Sequence, residues 1–338
     1  MFEGGLAELH THLGASVASD ILWSLAHEQG IALPVKDYWE FDRLVTIAEP
    51  RRVDSLDALD EIYHWTELIQ SSPLAVERSV HAAIGGAYRS QGITTLELRF
   101  NPMKRNRGGE RDLDHIIMAA SRGLDRASLE YPQVRAGLIL MMDRTFGERQ
   151  NAVIVEKAIR YASRGIVGID IAGPRPCGAR YAYRELAPLV EAAREAGLGI
   201  TIHVGEEGVE HGEAEIGEVV EALRPDRIGH GILAARSPEL MSALREAGVV
   251  LEICPTSNLL TRALADEQAV RQTFRLFVDY GVAFTIATDG PEMMRTHLRD
   301  EFELLRRIGA LAEDELAEAN RRGHDASFIA LVGQRVRA

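Results

Sequence analysis

The sequence predicts a closed barrel of eight parallel strands wrapped by helices. Three observations carry that expectation. Eight short apolar runs of strand character alternate with amphipathic helical stretches, the pattern of a parallel sheet covered by helices. From the second run onward the strand ends follow at regular intervals, each long enough for one crossover helix. Ionisable residues gather at the carboxyl ends of several runs, which is where a TIM-type (β/α)8 barrel carries its chemistry.

Taken in order, the runs are Gly5 to His12, Ile93 to Phe100, Arg135 to Asp143, Ile166 to Gly173, Gly199 to Glu206, Arg227 to Ile232, Val249 to Ser257 and Ala283 to Asp289. Segments such as Ala152 to Ser163, Tyr183 to Ala196 and Ser237 to Ala247 have helical periodicity, and each closes near a glycine where the next run begins. The interval from His12 to Phe100 is about twice the longest of the others, because Ser19 to Ser71, rich in Leu, Trp and Tyr, is inserted after the first strand. Insertions at that end of a barrel often cover the active site, so residues 19–71 are expected to form a helical, lid-like insertion. Beyond Asp289, Arg295 to Leu311 and Glu313 to Leu331 are expected as C-terminal helices that close the barrel. No linker, repeat or low-complexity stretch interrupts the pattern. Residues 1–338, with 46% hydrophobic composition, are therefore read as a single domain with one large core.

Composition narrows the partners. A net charge of −13, from 51 acidic against 38 basic residues, argues against nucleic acid or anionic lipid, which are held by clustered Lys and Arg, and favours a small molecule. Cys177 lies in a Gly/Pro-rich loop and Cys254 in an apolar run, which suggests no disulfide framework. Without a signal-peptide pattern or an apolar run of transmembrane length, the expected location is the cytoplasm. The oligomeric state is left open.

The chemistry starts in the first strand, Glu8-Leu9-His10-Thr11-His12-Leu13-Gly14. Alternate residues of a strand share a face, so the His10 and His12 imidazoles can reach one cation. An isolated His-x-His is usually structural, but three other strand ends change the reading. They are Thr201-Ile202-His203-Val204-Gly205-Glu206-Glu207, Gly229-His230-Gly231 and Thr288-Asp289-Gly290-Pro291. Three neutral imidazoles and a carboxylate suit one divalent ion, zinc first among them, with a position left for water. Such an ion lowers the pKa of its water to roughly 7 and supplies hydroxide at neutral pH. Glu206, three residues past the expected ligand His203, can protonate the substrate atom that gains charge, and His230 can orient or deprotonate the water. Binuclear barrel hydrolases bridge two metals through a carboxylated Lys on an inner strand. The lysines here are Lys36, Lys104 and Lys157, none inside an expected strand, so a single-metal site is expected.

The residues that carry these features resemble the adenosine deaminase family of the amidohydrolase superfamily over nearly the whole length. The matching pieces, in matching order, are His10-Thr11-His12-Leu13, Leu96-Glu97-Leu98-Arg99-Phe100-Asn101-Pro102, Val167-Gly168-Ile169-Asp170-Ile171-Ala172-Gly173, His203-Val204-Gly205-Glu206, Arg227-Ile228-Gly229-His230-Gly231, Cys254-Pro255-Thr256-Ser257-Asn258 and Thr288-Asp289. The resemblance implies metal ligation by His10, His12, His203 and Asp289, proton transfer by Glu206, water orientation by His230, and a backbone contact from Gly173 to a purine ring. His12 and the position of Gly290 are also expected to face the substrate.

Two positions depart from the adenosine-specific pattern. Adenosine deaminases usually place an Asp after His-x-His-Leu, where this chain has Gly14, and a second Asp after the metal-binding one, where Gly290 stands. A buried hydrogen bond to a charged group is worth about 1.5–3 kcal/mol, so adenosine itself is expected to be held weakly. The expected activity is metal-dependent deamination of an aminopurine, nucleoside or related heterocyclic amine, with 6-aminodeoxyfutalosine and modified adenines within the range. Two other readings use the same residues. One is a hydrolase opening a cyclic amide or lactone at the same mononuclear site. The other is a non-catalytic, metal-holding barrel, which would have no use for Glu206 and His230.

Overall fold

The computed structural model describes residues 4–47, 56–106, 111–174, 180–207 and 211–329. All eight expected strands form: β1 Leu6–His12, β2 Ile93–Phe100, β3 Arg135–Asp143, β4 Ile166–Ala172, β5 Gly199–Val204, β6 Arg227–His230, β7 Val250–Ile253 and β8 Ala283–Ile286. They are buried along nearly their whole length, as strands between a packed barrel interior and an outer ring of helices must be. Pairing is parallel throughout in the order β1 to β8. Past the end of β8, Asp289 bridges back to Thr11, with the His12 amide donating to the Asp289 carbonyl at 2.8 Å and the Asp289 amide to the His10 carbonyl at 2.9 Å. These bonds tie β1 to the segment after β8, making this a TIM-type (β/α)8 barrel.

The helices are α1 Ser19–Glu28, α2 Tyr38–Val45, α3 Leu56–Ile69, α4 Pro73–Gln91, α5 Leu113–Glu130, α6 Glu148–Arg160, α7 Ala187–Glu195, α8 Gly212–Leu223, α9 Pro238–Ala247, α10 Pro255–Leu260, α11 Glu267–Tyr280, α12 Pro291–Met294, α13 Leu298–Arg307 and α14 Glu313–Asp325. Their ends carry ordinary stop signals: α4, α9 and α11 each end on a left-handed glycine, Gly92, Gly248 and Gly281. The inserted segment folds as α1 to α3, as its composition predicts. Its residues 48–55 lie outside the described residues, as do Cys177 and the Leu331 end of the last expected helix.

Several boundaries differ from the sequence expectation, and the cause is local. The seventh strand stops at Ile253 rather than Ser257, because Pro255 opens α10 from its first turn. The fifth and sixth strands stop before Glu206 and Ile232, because Gly205 and Gly231 take positive φ of 69° and 67° and leave the ladder, and the eighth ends at Ile286, with Asp289 rejoining β1 by the isolated bridge to Thr11. The stretch from Arg295 contains α13 from Leu298 onward rather than one helix to Leu311. The shortened fifth, seventh and eighth strands leave Glu206, Ser257 and Asp289 past the strand ends, in the space above the sheet.

The opposite end of the barrel is stoppered by the segment after α14. The Phe328 ring is fully buried against Gly168 and Gly199, and an added Cβ at Gly199 would fall on that ring. The Arg227 guanidinium stacks over it at 3.6 Å from the ring centroid. Gly199→Ala is expected to overpack this end and cost about 1–3 kcal/mol, while Phe328→Ala should cost about 3–5 kcal/mol through the cavity it leaves. Thermal denaturation of both variants and of the double variant checks this. The double variant should lose less than the two single losses combined, and strict additivity would mean that Gly199 and Phe328 do not share that space.

Candidate active site

The histidines meet because β1 and β5 place them on the barrel axis. The Nε2 atoms of His12 and His203 are 3.2 Å apart, and Asp289 Oδ1 lies 3.3 Å from His12 Nε2 and 3.7 Å from His10 Nε2. Gly229 on β6 makes room, since a Cβ there would stand 2.9 Å from the His10 ring and 3.1 Å from that of His203. Carboxylates from distant strands set the tautomers. His10 Nδ1 lies 2.7 Å from Glu252 Oε2, and His203 Nδ1 lies 2.8 Å from Asp170 Oδ2. A carboxylate accepts, so Nδ1 of each ring carries a proton; the His203 Nε2 turns a bare lone pair inward, whereas against burial and the Arg99 charge Asp289 and Glu252 raise His10 above the usual histidine range, and a cation at its Nε2 would take a proton's place. His10 Nε2 is buried with no hydrogen-bond partner.

The protonation states suit a cation. Burial, followed by the charge of neighbouring groups, holds the His12 and His203 imidazoles well below the usual histidine range, so they are neutral ligands in waiting. Against the desolvation that burial imposes, His10, His12 and His230 hold the Asp289 carboxyl well below the usual carboxylate range. His10, His12 and His203 offer ligand atoms all within 4.8 Å of one another. Cys254 falls in an overlapping group with His10 and His230, but burial pushes its thiol well above the usual range, which disfavours the thiolate a metal needs. Converging lone pairs beside an ionised carboxylate are a poor arrangement in an empty core and a good one around a divalent ion.

Glu206 and His230 flank this cluster. His230 Nε2 lies 3.6 Å from Glu206 Oε2 and 3.9 Å from Asp289 Oδ2, while its Nδ1 meets Asn258 Nδ2 at 3.0 Å. Ser257 donates to Asp289 Oδ2 at 2.7 Å, so α10 braces two site residues at once. Although burial opposes it, the Arg144 guanidinium and the nearby imidazoles lower Glu206 to about 2, and the group rests as a carboxylate. His230 and Asp289 both hold positive φ, 61° and 65°, a backbone state that costs a β-carbon residue on the order of 1–3 kcal/mol and concentrates where function fixes a side chain.

A cavity open to solvent leads to these groups. His12, His203, Glu206, His230, Asp289 and Gly173 all line it, so the sequence-predicted residues converge apart from two that stand back. His10 lies beneath the cavity, fully buried. Gly290 is not part of the lining: its Cα faces Ala15, Met293 and Met294, and a Cβ there would come within 2.7 Å of Ala15 Cβ. At Gly14 the space a side chain would need is held by Tyr63 of α3, 3.0 Å away, and by Arg105. The inserted segment thus supplies Leu59, Tyr63 and Glu67 to the cavity, which Asn101, Lys104 and Asp143 from the ends of β2 and β3 also line. Sequence reading missed the supporting residues Asp170, Glu252 and Arg144. The available signal was an ionisable residue in or beside an otherwise apolar strand.

A parallel barrel with imidazoles and a carboxylate converging at its carboxyl rim, and a second acid and a fourth imidazole alongside, defines a metal-dependent hydrolase acting on a small molecule. The chain belongs to the adenosine deaminase family, whose sequence profile, described as Adenosine deaminase, matches residues 5–335. It is 28% identical over 324 residues to the adenosine deaminase of Shewanella denitrificans, covering 96% of this chain and 94% of the relative. Among solved structures, it is similar to the adenine deaminase from Arthrobacter aurescens, with a TM-score of 0.83, 22% identity and 99% of each chain covered. It is also similar to an amidohydrolase from Burkholderia ambifaria solved with bound zinc, with a TM-score of 0.83, 22% identity and coverage of 98% and 88%. The chain is a metal-dependent deaminase. No described helix is long and apolar enough to cross a membrane.

One buried acid behind α10 gives a test by pH. Glu301 accepts hydrogen bonds from the Thr256 amide and the Thr296 hydroxyl, and burial raises it to about 7. The folded state therefore keeps a proton that the unfolded chain releases near pH 4.5, and stability falls as pH rises from there to about 7. Glu301→Gln keeps the shape without the titration. In melting curves from pH 5 to pH 8, the variant is expected to gain on wild type as pH rises; a constant difference would show that Glu301 stays ionised in the fold.

Proposed function

We propose that the chain hydrolyses the amine from an aminopurine ring carbon, with His10, His12, His203 and Asp289 holding one zinc ion. The observation that carries this reading is the convergence of the His10, His12 and His203 Nε2 atoms on an ionised Asp289, next to Glu206 and His230, which line the cavity. When bound, the ion supplies the Lewis acidity that lowers the pKa of a water molecule to roughly 7. The zinc in the Burkholderia ambifaria relative supports that choice of metal.

The chain's own groups divide the remaining work. His230 hydrogen-bonds the attacking oxygen and aims it at the ring carbon. Glu206 rests ionised, so the proton it delivers is collected within the turnover, from the attacking water, and passed to the ring nitrogen beside that carbon. The proton left on the added hydroxyl passes to the exocyclic amine, the carbon–nitrogen bond breaks, and ammonia leaves while the ring keeps the oxygen as a carbonyl. The Gly173 backbone is proposed to hold the ring edge, and the segment 19–71 to cover the cavity through Tyr63 and Glu67.

The substrate side supports an aminopurine other than adenosine in the first place. Adenosine and adenine, named for the Shewanella and Arthrobacter proteins, share the amine-bearing ring and differ in the sugar. In this chain the wall beside Gly14 is an aromatic ring and a guanidinium, so a ribose would meet different contacts from those an Asp there would make.

Three measurements test the reading. Metal analysis should give about one divalent ion per chain, and His203→Ala should lose metal and activity together. Glu206→Gln should keep its metal and lose several orders of magnitude in turnover, whereas retention of more than about a tenth would remove Glu206 as the proton carrier. Across aminopurines, nucleosides, nucleotides, pterins and pyrimidines, zinc-loaded protein should release ammonia fastest from an aminopurine compound other than adenosine. Ring opening of a cyclic amide or lactone with no ammonia released would replace this reading with a different hydrolase.

A further inference from the structure

The geometry points to Arg144 as the residue that positions Glu206 for proton transfer, an inference that rests on the proton-carrying role proposed for Glu206. Arg144 follows the last residue of β3, and its amide donates to the Ala172 carbonyl at 2.9 Å, so its backbone is fixed to the end of β4. Its guanidinium makes three hydrogen bonds into the site. Nη1 donates to Glu206 Oε1 at 2.8 Å and to the Gly173 carbonyl at 2.6 Å, and Nη2 donates to the His203 carbonyl at 2.7 Å.

A guanidinium with a side chain 0% exposed is costly to bury and needs a reason. Sheet cohesion is not that reason, because β3 and β4 already pair through Met142 with Ile171 and Asp143 with Ala172. What Arg144 adds is a choice between two oxygens. It occupies Oε1 of Glu206 and leaves Oε2 as the oxygen on the His230 side, 3.6 Å from His230 Nε2. Without it the carboxylate would be free to rotate and present either oxygen at any angle. The planar fork also refers that oxygen to Gly173 and to the backbone of His203, so the proton carrier, the proposed ring contact and a proposed ligand strand share one rigid reference. Arg144 thus acts through Glu206, as a positioning residue rather than a catalytic one.

The test is a double-variant cycle on the zinc-loaded enzyme with its best substrate. Arg144→Met should keep its metal and lower kcat about 10- to 100-fold, with Arg144→Lys recovering part of the loss. In a Glu206→Gln background, Arg144→Met should lower the residual rate by less than about threefold, since the group it positions no longer carries a proton. If Arg144→Met precipitates, Arg144→Lys carries the same cycle. Equal losses in both backgrounds, or loss of metal in both Arg144 variants, would overturn the role of Arg144 alone. Near wild-type turnover in Glu206→Gln itself would remove the assignment of Glu206, and this inference with it.

Discussion

The site rests on one buried charge arrangement. Arg99 of β2 lies on the barrel axis between two carboxylates, 2.7 Å from Asp170 Oδ2 and 2.7 Å from Glu252 Oε2, and those carboxylates are the ones that bond the Nδ1 atoms of His203 and His10. All five side chains are almost fully buried. Two carboxylates facing each other in such a place would not both stay ionised, and a protonated partner would no longer fix an imidazole's tautomer. Arg99 works against that: it holds Glu252 well below the usual carboxylate range and offsets part of the burial that raises Asp170, so both remain acceptors for the imidazoles.

The arrangement continues down the axis. Glu252 Oε1 accepts from Arg227 Nε at 2.6 Å and from the Thr201 hydroxyl at 3.0 Å. Arg227 also bonds Glu97, which accepts from the Ser327 hydroxyl and the Phe328 amide. The stopper at one end of the barrel and the histidines at the other are thus joined by a line of paired charges. Burying so many charges costs more than packing apolar side chains there, so a barrel selected for stability alone has little reason to keep them. Their effect is orientation.

Two groups of side chains line the cavity. The histidines, Asp289, Glu206 and His230 come from β1, β5, β6 and β8, held by the axial charges, by Arg144 and by α10. The rest of the lining includes Tyr63 and Glu67 of α3 and Asn101, Lys104 and Asp143 from the ends of β2 and β3, with the Tyr63 ring centroid 5.9 Å from that of His12. The Asn101 side-chain oxygen accepts from the Met103 and Lys104 amides, which leaves its Nδ2 buried without an acceptor. A wall built from an insertion and strand-end loops can change with little effect on the barrel beneath it.

The sequence by itself determined the barrel and most of the chemical set. Strands buried on both faces must be apolar throughout, so eight such runs separated by amphipathic helices leave few other folds, and His10, His12, His203, Glu206, His230 and Asp289 stand out because nothing in strand packing requires them. Gly290 was misleading, since a residue beside a site in sequence can face away from it, and here it faces Ala15. Tertiary structure alone decided which carboxylate meets which imidazole, that Arg144 of one strand end bonds Glu206 of another, and that Tyr63 fills the space beside Gly14. Periodicity records which face of an element is buried, whereas these contacts depend on how strands far apart in sequence are staggered around a closed barrel, and no local pattern encodes that stagger.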